Sequence, residues 1–568
     1  MAKTSSDAPP LPGWARRLRD RYVAGASSLF VLHGNVHDLV AYEDKYIPLR
    51  TFLNRMLGRT KEIIAFYDVA NGLTFAERKM GDAFRMAVDA RRRITGGVEL
   101  PLALPRDAYR LFPWVETFLS DPSQHGAFVI EYAETVVPDG DVSFKGDADR
   151  AMRVTLQRWA ADPSVNSTDN IIILIAENLA DLDRTVRSAP RLTPIEIPIP
   201  DTATRLEYIE HSFSSEGKVG MSAPRVADAT AGLTNFQIEN LFREARTADD
   251  KLSAERIQEV KRRIIEQECF GLVEFVESDH DFSVVGGHES LKEALRRVVK
   301  SIKRGDKGRV PMGILLVGAM GTGKSFLMEA FANEVGLTTL KFKNFRDKWV
   351  GSTEGNLEKI LTVVKAMGNV LVVIDEGDRS IGGESGGGDG GVDSRVTARL
   401  KEFMSDTSHR GSIIFAMMTN RPDKLDADMK RPGRFDLKLP FFPPQDHETR
   451  VAIIKALLRK NKIKSRLSDY PALSESVVGM TGAEIEAVLL GAIGFAEARG
   501  STTVTDDDVL AASADFIPSR DAAMMRYMEL LAVFECSSRR MLPERYQEMS
   551  SSELNAEVRE QQRRLLRP

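Results

Sequence analysis

Two cysteines in 568 residues, Cys269 and Cys536, leave no material for a disulfide framework. They lie far apart and neither has a metal-type neighbour, so they read as structural thiols in a reducing compartment. Charge of one sign is missing as well. Seventy-eight basic residues against 82 acidic ones leave a net charge of -4, without the basic field of a nucleic-acid protein. No apolar run approaches the length of a membrane span; the longest, such as Ile171–Ala176 and Val370–Ile374, have the length of buried strands. Met1–Pro12 is polar and proline-rich and lacks the apolar core of a secretory signal. The H-E-x-x-H pattern of zinc proteases does not occur. The expectation is a cytoplasmic protein with no membrane partner. What is present is ordinary globular material, 42% apolar and 28% charged, long enough for several domains.

One segment carries sharp chemistry. A short apolar strand at Met312–Val317 runs into Gly318-Ala319-Met320-Gly321-Thr322-Gly323-Lys324-Ser325, and Phe326–Val335 then reads as a helix. This is the phosphate-binding pattern G-x-x-x-x-G-K-[ST] in its strand–loop–helix setting. Glycines let backbone N–H groups turn towards phosphate oxygens, and the helix N-terminus adds positive potential at the same point. Lys324 suits the β- and γ-phosphates of ATP and Ser325 suits Mg²⁺. Roughly 50 residues on, the strand Val370–Ile374 delivers Asp375 and Glu376 at its C-terminal end. Asp375 suits the metal and Glu376 the attacking water. A third strand, Ser412–Met418, ends at Thr419-Asn420, where an amide can hold that water. Then Lys430-Arg431-Pro432-Gly433-Arg434-Phe435-Asp436 sets two arginines around a rigid turn, a suitable mount for an arginine finger.

The run from Thr419 to Asp436 resembles the second region of homology of the core AAA family, which includes valosin-containing protein, katanin and the FtsH ATPase. The likeness extends from about Phe282 to Ser519, roughly two-fifths of the chain. It implies Asn420 as a sensor, Arg431 and Arg434 as fingers acting on a neighbouring subunit's ATP, and a homo-oligomeric ring, usually a hexamer. Asp281-Phe-Ser-Val-Val-Gly-Gly287 resembles the family's entry linker, placing Val285 and Gly286 by the adenine. Met480-Thr-Gly-Ala-Glu-Ile-Glu486 resembles the start of its lid helix, placing Gly482 and Ala483 there too, and Phe326 continues the nucleotide-binding loop. Lys348-Trp349-Val350-Gly351 matches the position of the pore loop that grips polypeptide in AAA unfoldases, and glycine-rich Gly382–Gly391 that of a second pore loop.

The first half repeats the second in outline. Ala127–Glu134 aligns with Leu371–Asp378, Ile171–Asn178 with Ile413–Asn420, Ile195–Pro200 with Leu437–Pro443, and Leu233–Glu239 with Met480–Glu486. The chemistry is missing from it. A first strand at Ser28–Leu32 leads into His33-Gly34-Asn35-Val36-His37, Glu131 stands in place of Asp375, and Tyr132 in place of Glu376. His33 and His37 have helical spacing but no third metal ligand in view. After the second lid, Asp521–Arg540 shows helical apolar spacing, and Ser550 with Glu553 forms a capping-box signature.

The expected fold is α/β, a P-loop NTPase with two tandem AAA-like modules and a helical C-terminal extension. The divisions are a degenerate α/β domain at 1–200, its lid at 201–278, the ATPase domain at 279–443, its lid at 444–519 and the extension at 520–568. The expected function is ATP hydrolysis, with Mg²⁺, coupled to remodelling, unfolding or threading of a protein substrate. Two other readings stand beside it: a nucleotide-switched scaffold that threads nothing, and a nucleic-acid motor.

Overall fold

The computed structural model describes residues 11–96, 100–101, 103–140, 145–216, 221–247, 253–343, 353–377, 390–518 and 521–565. The chain divides into two compact units, Met1–Ile265 and Glu266–Pro568.

The first unit is built on strands β1 (Leu29–Gly34), β4 (Ile63–Asp68), β5 (Gly72–Phe75), β6 (Gly126–Ile130), β7 (Ile171–Ala176) and β8 (Leu192–Ile197), with β2 (Leu39–Tyr42) and β3 (Lys45–Pro48) paired as a separate hairpin. The sheet order is β5-β4-β6-β7-β1-β8, parallel except for the edge strand β5. The apolar strands are buried on both faces, which is why they read as continuous hydrophobic runs. Val31, Phe128 and Leu174 pack towards helices Arg78–Thr95, Ala108–Leu119 and Asp147–Ala161; Phe30, Val129 and Ile173 pack towards helices Gly13–Val23 and Leu49–Leu57.

In the second unit β10 (Gly313–Gly318), β11 (Thr338–Phe342), β12 (Val370–Ile374), β13 (Ile413–Thr419) and β14 (Leu437–Phe441) lie in the order β14-β10-β13-β12-β11, all parallel, with the short β9 (Val273–Phe275) antiparallel on the edge. For the five parallel strands this is the order of the first sheet, strand for strand; the antiparallel edge strands β5 and β9 come from different points of the chain. The match reaches single residues. Gly34 ends β1 and Gly318 ends β10, and a Cβ on either would strike the neighbouring strand, 2.7 Å from the Ile197 carbonyl oxygen or 2.3 Å from that of Phe441. Tyr132 and Glu376, the second residues after β6 and β12, both have left-handed backbones, with φ of 53° and 46°. The helical lids correspond too: buried Arg205 donates to the carbonyls of Ala227 and Pro200, and buried Arg450 to those of Ser474 and Gln445. The fold is therefore α/β with two parallel-sheet modules, each followed by helices.

The modules part company after the first strand. Five residues separate Gly318 from helix Lys324–Val335, whereas the β2–β3 hairpin fills the longer stretch between Gly34 and helix Leu49–Leu57. His33 lies within β1 and His37 in the turn beyond it, so their spacing is not helical; His37 Nε2 sits 2.9 Å from Glu177. Beyond the second lid, helix Ala522–Glu535 lies against β10 and β14, and helix Ser551–Leu565 packs on it. The Ser550–Glu553 capping box forms reciprocally, at 2.9 and 3.2 Å. Among the described residues no helix is long and apolar enough to cross a membrane.

Candidate active site

Parallel strands end together at the C-terminal edge of their sheet, and the crevice there is where ligands of such sheets bind. In the second unit that edge collects residues far apart in sequence. Val317 pairs with Thr419 and Ile374 with Met417, so Gly318, Asn420 and Asp375 emerge side by side. Gly318, Gly321 and Gly323 all have positive φ, and Gly323 leads directly into helix Lys324–Val335. A Cβ on Gly321 would come within 2.9 Å of Thr481 Oγ1 in the lid, so that close approach requires glycine. The Gly321 carbonyl accepts from the Ala483 N–H at 3.0 Å, tying the loop to the first turn of lid helix Gly482–Ala498. Lys324 Nζ donates to the Gly318 and Ala319 carbonyls, both at 2.8 Å, and to Asn420 Oδ1 at 2.6 Å. Ser325 follows in the first helical turn.

Asp375 and Glu376 leave β12 in different directions. Asp375 takes an ion pair from Lys341 on β11 at 3.0 Å, while its other oxygen accepts from the Glu376 N–H at 2.9 Å. Glu376 is exposed. The loop, Lys324 and Asn420 are thus joined by hydrogen bonds, and the two acids leave the neighbouring strand at the same edge of the sheet.

A cavity of about 290 Å³ continues from the loop towards the lid. Val285, Gly286, Phe326, Gly482 and Ala483 line it, as do Ile453 and Lys460 of lid helix His447–Lys460. A Cβ on Gly286 would lie 2.6 Å from Ile453 Cα, so the linker and lid touch backbone to backbone. The Phe326 ring stacks on His280, 4.2 Å between centroids and 17° from parallel, with Lys460 Nζ 4.9 Å from its centre. Below the loop, His288 Nε2 donates to the Thr322 carbonyl at 3.0 Å. Desolvation by burial lowers the His288 pKa to about 4, so the ring is neutral near pH 7. No motif marks His280, His288, Lys341 or Lys460 in the sequence; only the fold brings them here. Lys292, buried on helix Glu289–Lys303, pins the linker by donating to the Val285 carbonyl at 2.5 Å.

The two arginines of the Pro-Gly turn differ in setting. Arg431 is 73% exposed, with Asp428 at 3.0 Å. Arg434 donates to the Asp428 carbonyl at 2.6 Å and to Ser405 Oγ at 3.0 Å. Asp436 fixes the turn by accepting from the N–H groups of Gly433 and Met312. Lys348, Trp349, Val350 and Gly351, and most of Gly382–Gly391, lie outside the described residues.

At the corresponding edge of the first unit Arg50, in the first turn of its helix, pairs with Glu131, donates to Thr74 Oγ1 at 2.8 Å and covers the Phe66 ring at 4.3 Å. Burial raises the Glu131 pKa. The cradle of glycines has no counterpart there.

Residues 314–442 match the family described as ATPase family associated with various cellular activities (AAA). Residues 4–198 match the AAA+ chaperone N-terminal Rossmann-like domain, and residues 203–270 the AAA+ chaperone second helical domain. The chain belongs to the AAA ATPases, a family of ATP-hydrolysing enzymes. Among its AAA relatives, a cell division cycle protein 48 homolog of Archaeoglobus fulgidus is 26% identical over 392 residues, 63% of this chain and 53% of that protein. The ATP-dependent zinc metalloprotease FtsH 2 of Salinibacter ruber is 32% identical over 244 residues, 41% of this chain and 35% of the protease. Protein SAV of Sulfolobus acidocaldarius is 28% identical over 371 residues, 59% of this chain and 47% of that protein. The chain thus spans between about a third and about half the length of these AAA relatives.

Proposed function

We propose that this AAA ATPase is one protomer of a hexameric cytoplasmic ring that hydrolyses ATP between neighbouring copies and uses the cycle to remodel, unfold or thread proteins. The supporting observation is the division of the machinery on one chain. Lys324, Asp375, Glu376 and Asn420 converge, whereas Arg431 stands outward on a braced turn. A finger that serves the next subunit's ATP explains that separation. Gly318, Gly321, Thr322, Gly323 and Lys324 would bind the phosphates, and Val285, Gly286, Phe326, Gly482 and Ala483 the base. Ser325 and Asp375 would hold Mg²⁺, which when bound neutralises phosphate charge. Glu376 would take the proton of the attacking water, and Asn420 would orient that water. Arg434, braced on Asp428 and Ser405, would steady the turn as well as contribute charge. Trp349 and Val350 would contact the polypeptide, flanked by Lys348 and Gly351.

On this reading residues 1–200 and 201–278 are a module without catalysis and its lid, 279–443 and 444–519 the working module and its lid, and 520–568 the extension. The test is complementation. Lys324→Ala chains lack ATP binding and Arg431→Ala chains lack the finger, so each alone should be inactive. Mixed rings should recover turnover, because one chain contributes the pocket and the other the finger. Verified mixed rings without recovery would refute the shared site.

A further inference from the structure

Within the second unit the C-terminal extension packs beside the segments that carry Asn420 and Arg431. Helix Ala522–Glu535 ends in Glu535, only 7% exposed, whose carboxylate bridges two lysines. Lys430 Nζ lies 2.5 Å from one oxygen and Lys438 Nζ 2.9 Å from the other. Lys430 also donates to the Pro422 carbonyl at 2.9 Å. It immediately precedes Arg431. One end of the turn is therefore tied to a buried carboxylate, while the Arg431 side chain stays outside. Towards the start of the same helix, the Tyr527 hydroxyl donates to Asp423 at 3.2 Å, and Asp423 is bidentate with Arg421, the residue after Asn420.

Packing alone does not call for this arrangement. Leu530, Leu531 and Val533 already bury the helix, and a desolvated ion pair is a poor source of stability beside an apolar alternative. What a carboxylate between two ammonium groups supplies is register: it fixes where the helix end, β14 and the turn stand relative to one another. Without Glu535 the two lysines face each other with no shared anion, and the turn loses its link to the helix one residue from the guanidinium, keeping the Lys430 bond to the Pro422 carbonyl.

We propose that Glu535 is a positioning residue for Arg431, holding the finger at the height needed to reach the neighbouring subunit's ATP. This rests on the reading of Arg431 as a trans-acting finger. A misplacement of about 1 Å at such a group lowers a rate about a hundredfold.

The experiment uses full-length chains and the same mixed rings. Lys324→Ala subunits act as finger donors and Arg431→Ala subunits as ATP-binding acceptors. Glu535→Gln is added either to the donor or to the acceptor, and restored ATPase turnover is measured. In the donor it should lower turnover between about tenfold and a hundredfold. In the acceptor, whose finger is already absent, turnover should stay within about twofold, with the KM for ATP unchanged. Equal losses in both positions would make Glu535 a general structural residue and overturn the proposal, as would no loss in either. If the parent mixture itself fails to recover, the finger reading falls first. Should Glu535→Gln chains not fold, Lys430→Met in the same two positions provides the same comparison while leaving Glu535 paired with Lys438.

Discussion

Glu376 leaves β12 with a φ of 46°, a backbone shape that a residue with a side chain adopts at a cost. The turn separates its carboxylate from that of Asp375, so neighbours in sequence can serve different atoms. If Glu376 is the base, Glu376→Gln should keep ATP affinity while lowering turnover by about 10²–10⁴, measured by nucleotide binding beside phosphate release; near-normal turnover would remove it from the chemistry. His288 gives a pH prediction. Its pKa of about 4 lies below the ordinary value of 6.5, so between these values the unfolded chain binds the extra proton. Stability contributed by neutral His288 is present above pH 6.5 and is lost as pH falls towards 4. Between pH 7 and pH 5 the wild type should lose about 1–2 kcal/mol more than His288→Asn, measured by denaturant titration; parallel losses would place the acid sensitivity elsewhere. Glu376 was legible in the sequence because an apolar strand and two acids follow a phosphate loop at the expected distance. His288 was not, because its role depends on a helix start folding beneath a loop 34 positions later.

At the scale of elements, the two lids are fastened differently. In the working module the Gly321 carbonyl receives the Ala483 N–H. In the first module the carboxylate of Asp38 accepts from the N–H groups of Asn235 and Phe236, at 3.2 and 2.8 Å, where helix Asn235–Thr247 begins. A buried anion at a helix N-terminus satisfies otherwise orphaned donors and opposes the helix dipole. The first lid is thus latched by a side chain of its module's α/β domain, with no phosphate loop involved. Asp38→Ala should destabilise the protein by about 1–3 kcal/mol, seen in chemical unfolding; a change under about 0.5 kcal/mol would show that the latch carries no weight. Strands β1, β7, β10, β12 and β13 could be read from their apolar runs, and the repeat from the order of the segments that hold β6, β7, β8, β12, β13 and β14, whereas β4, β5, β9 and β11 were not read. The hairpin of β2 and β3 could not: its residues alternate too briefly to signal a strand pair, and it stands where the repeat predicts a helix start.

For the whole molecule, two modules of one strand order have kept different things. The second has the glycine cradle, Lys324 and the paired acids; the first has an Arg50–Glu131 ion pair and a latched lid at the same edge. With an ion pair at that edge and no glycine cradle beside it, the first module is expected to hold no phosphate. ATP binding should therefore saturate at one nucleotide per chain, and Lys324→Ala should bring it to none. Equilibrium binding of labelled ATP to purified rings decides this directly. Two per chain in the wild type, or one remaining after Lys324→Ala, would mean that the first module still binds nucleotide. If Arg431 completes a neighbouring chain's pocket, specific turnover should also fall on dilution, because dissociation separates the two. Constant specific activity through the dissociation range would place the whole catalytic site within one chain.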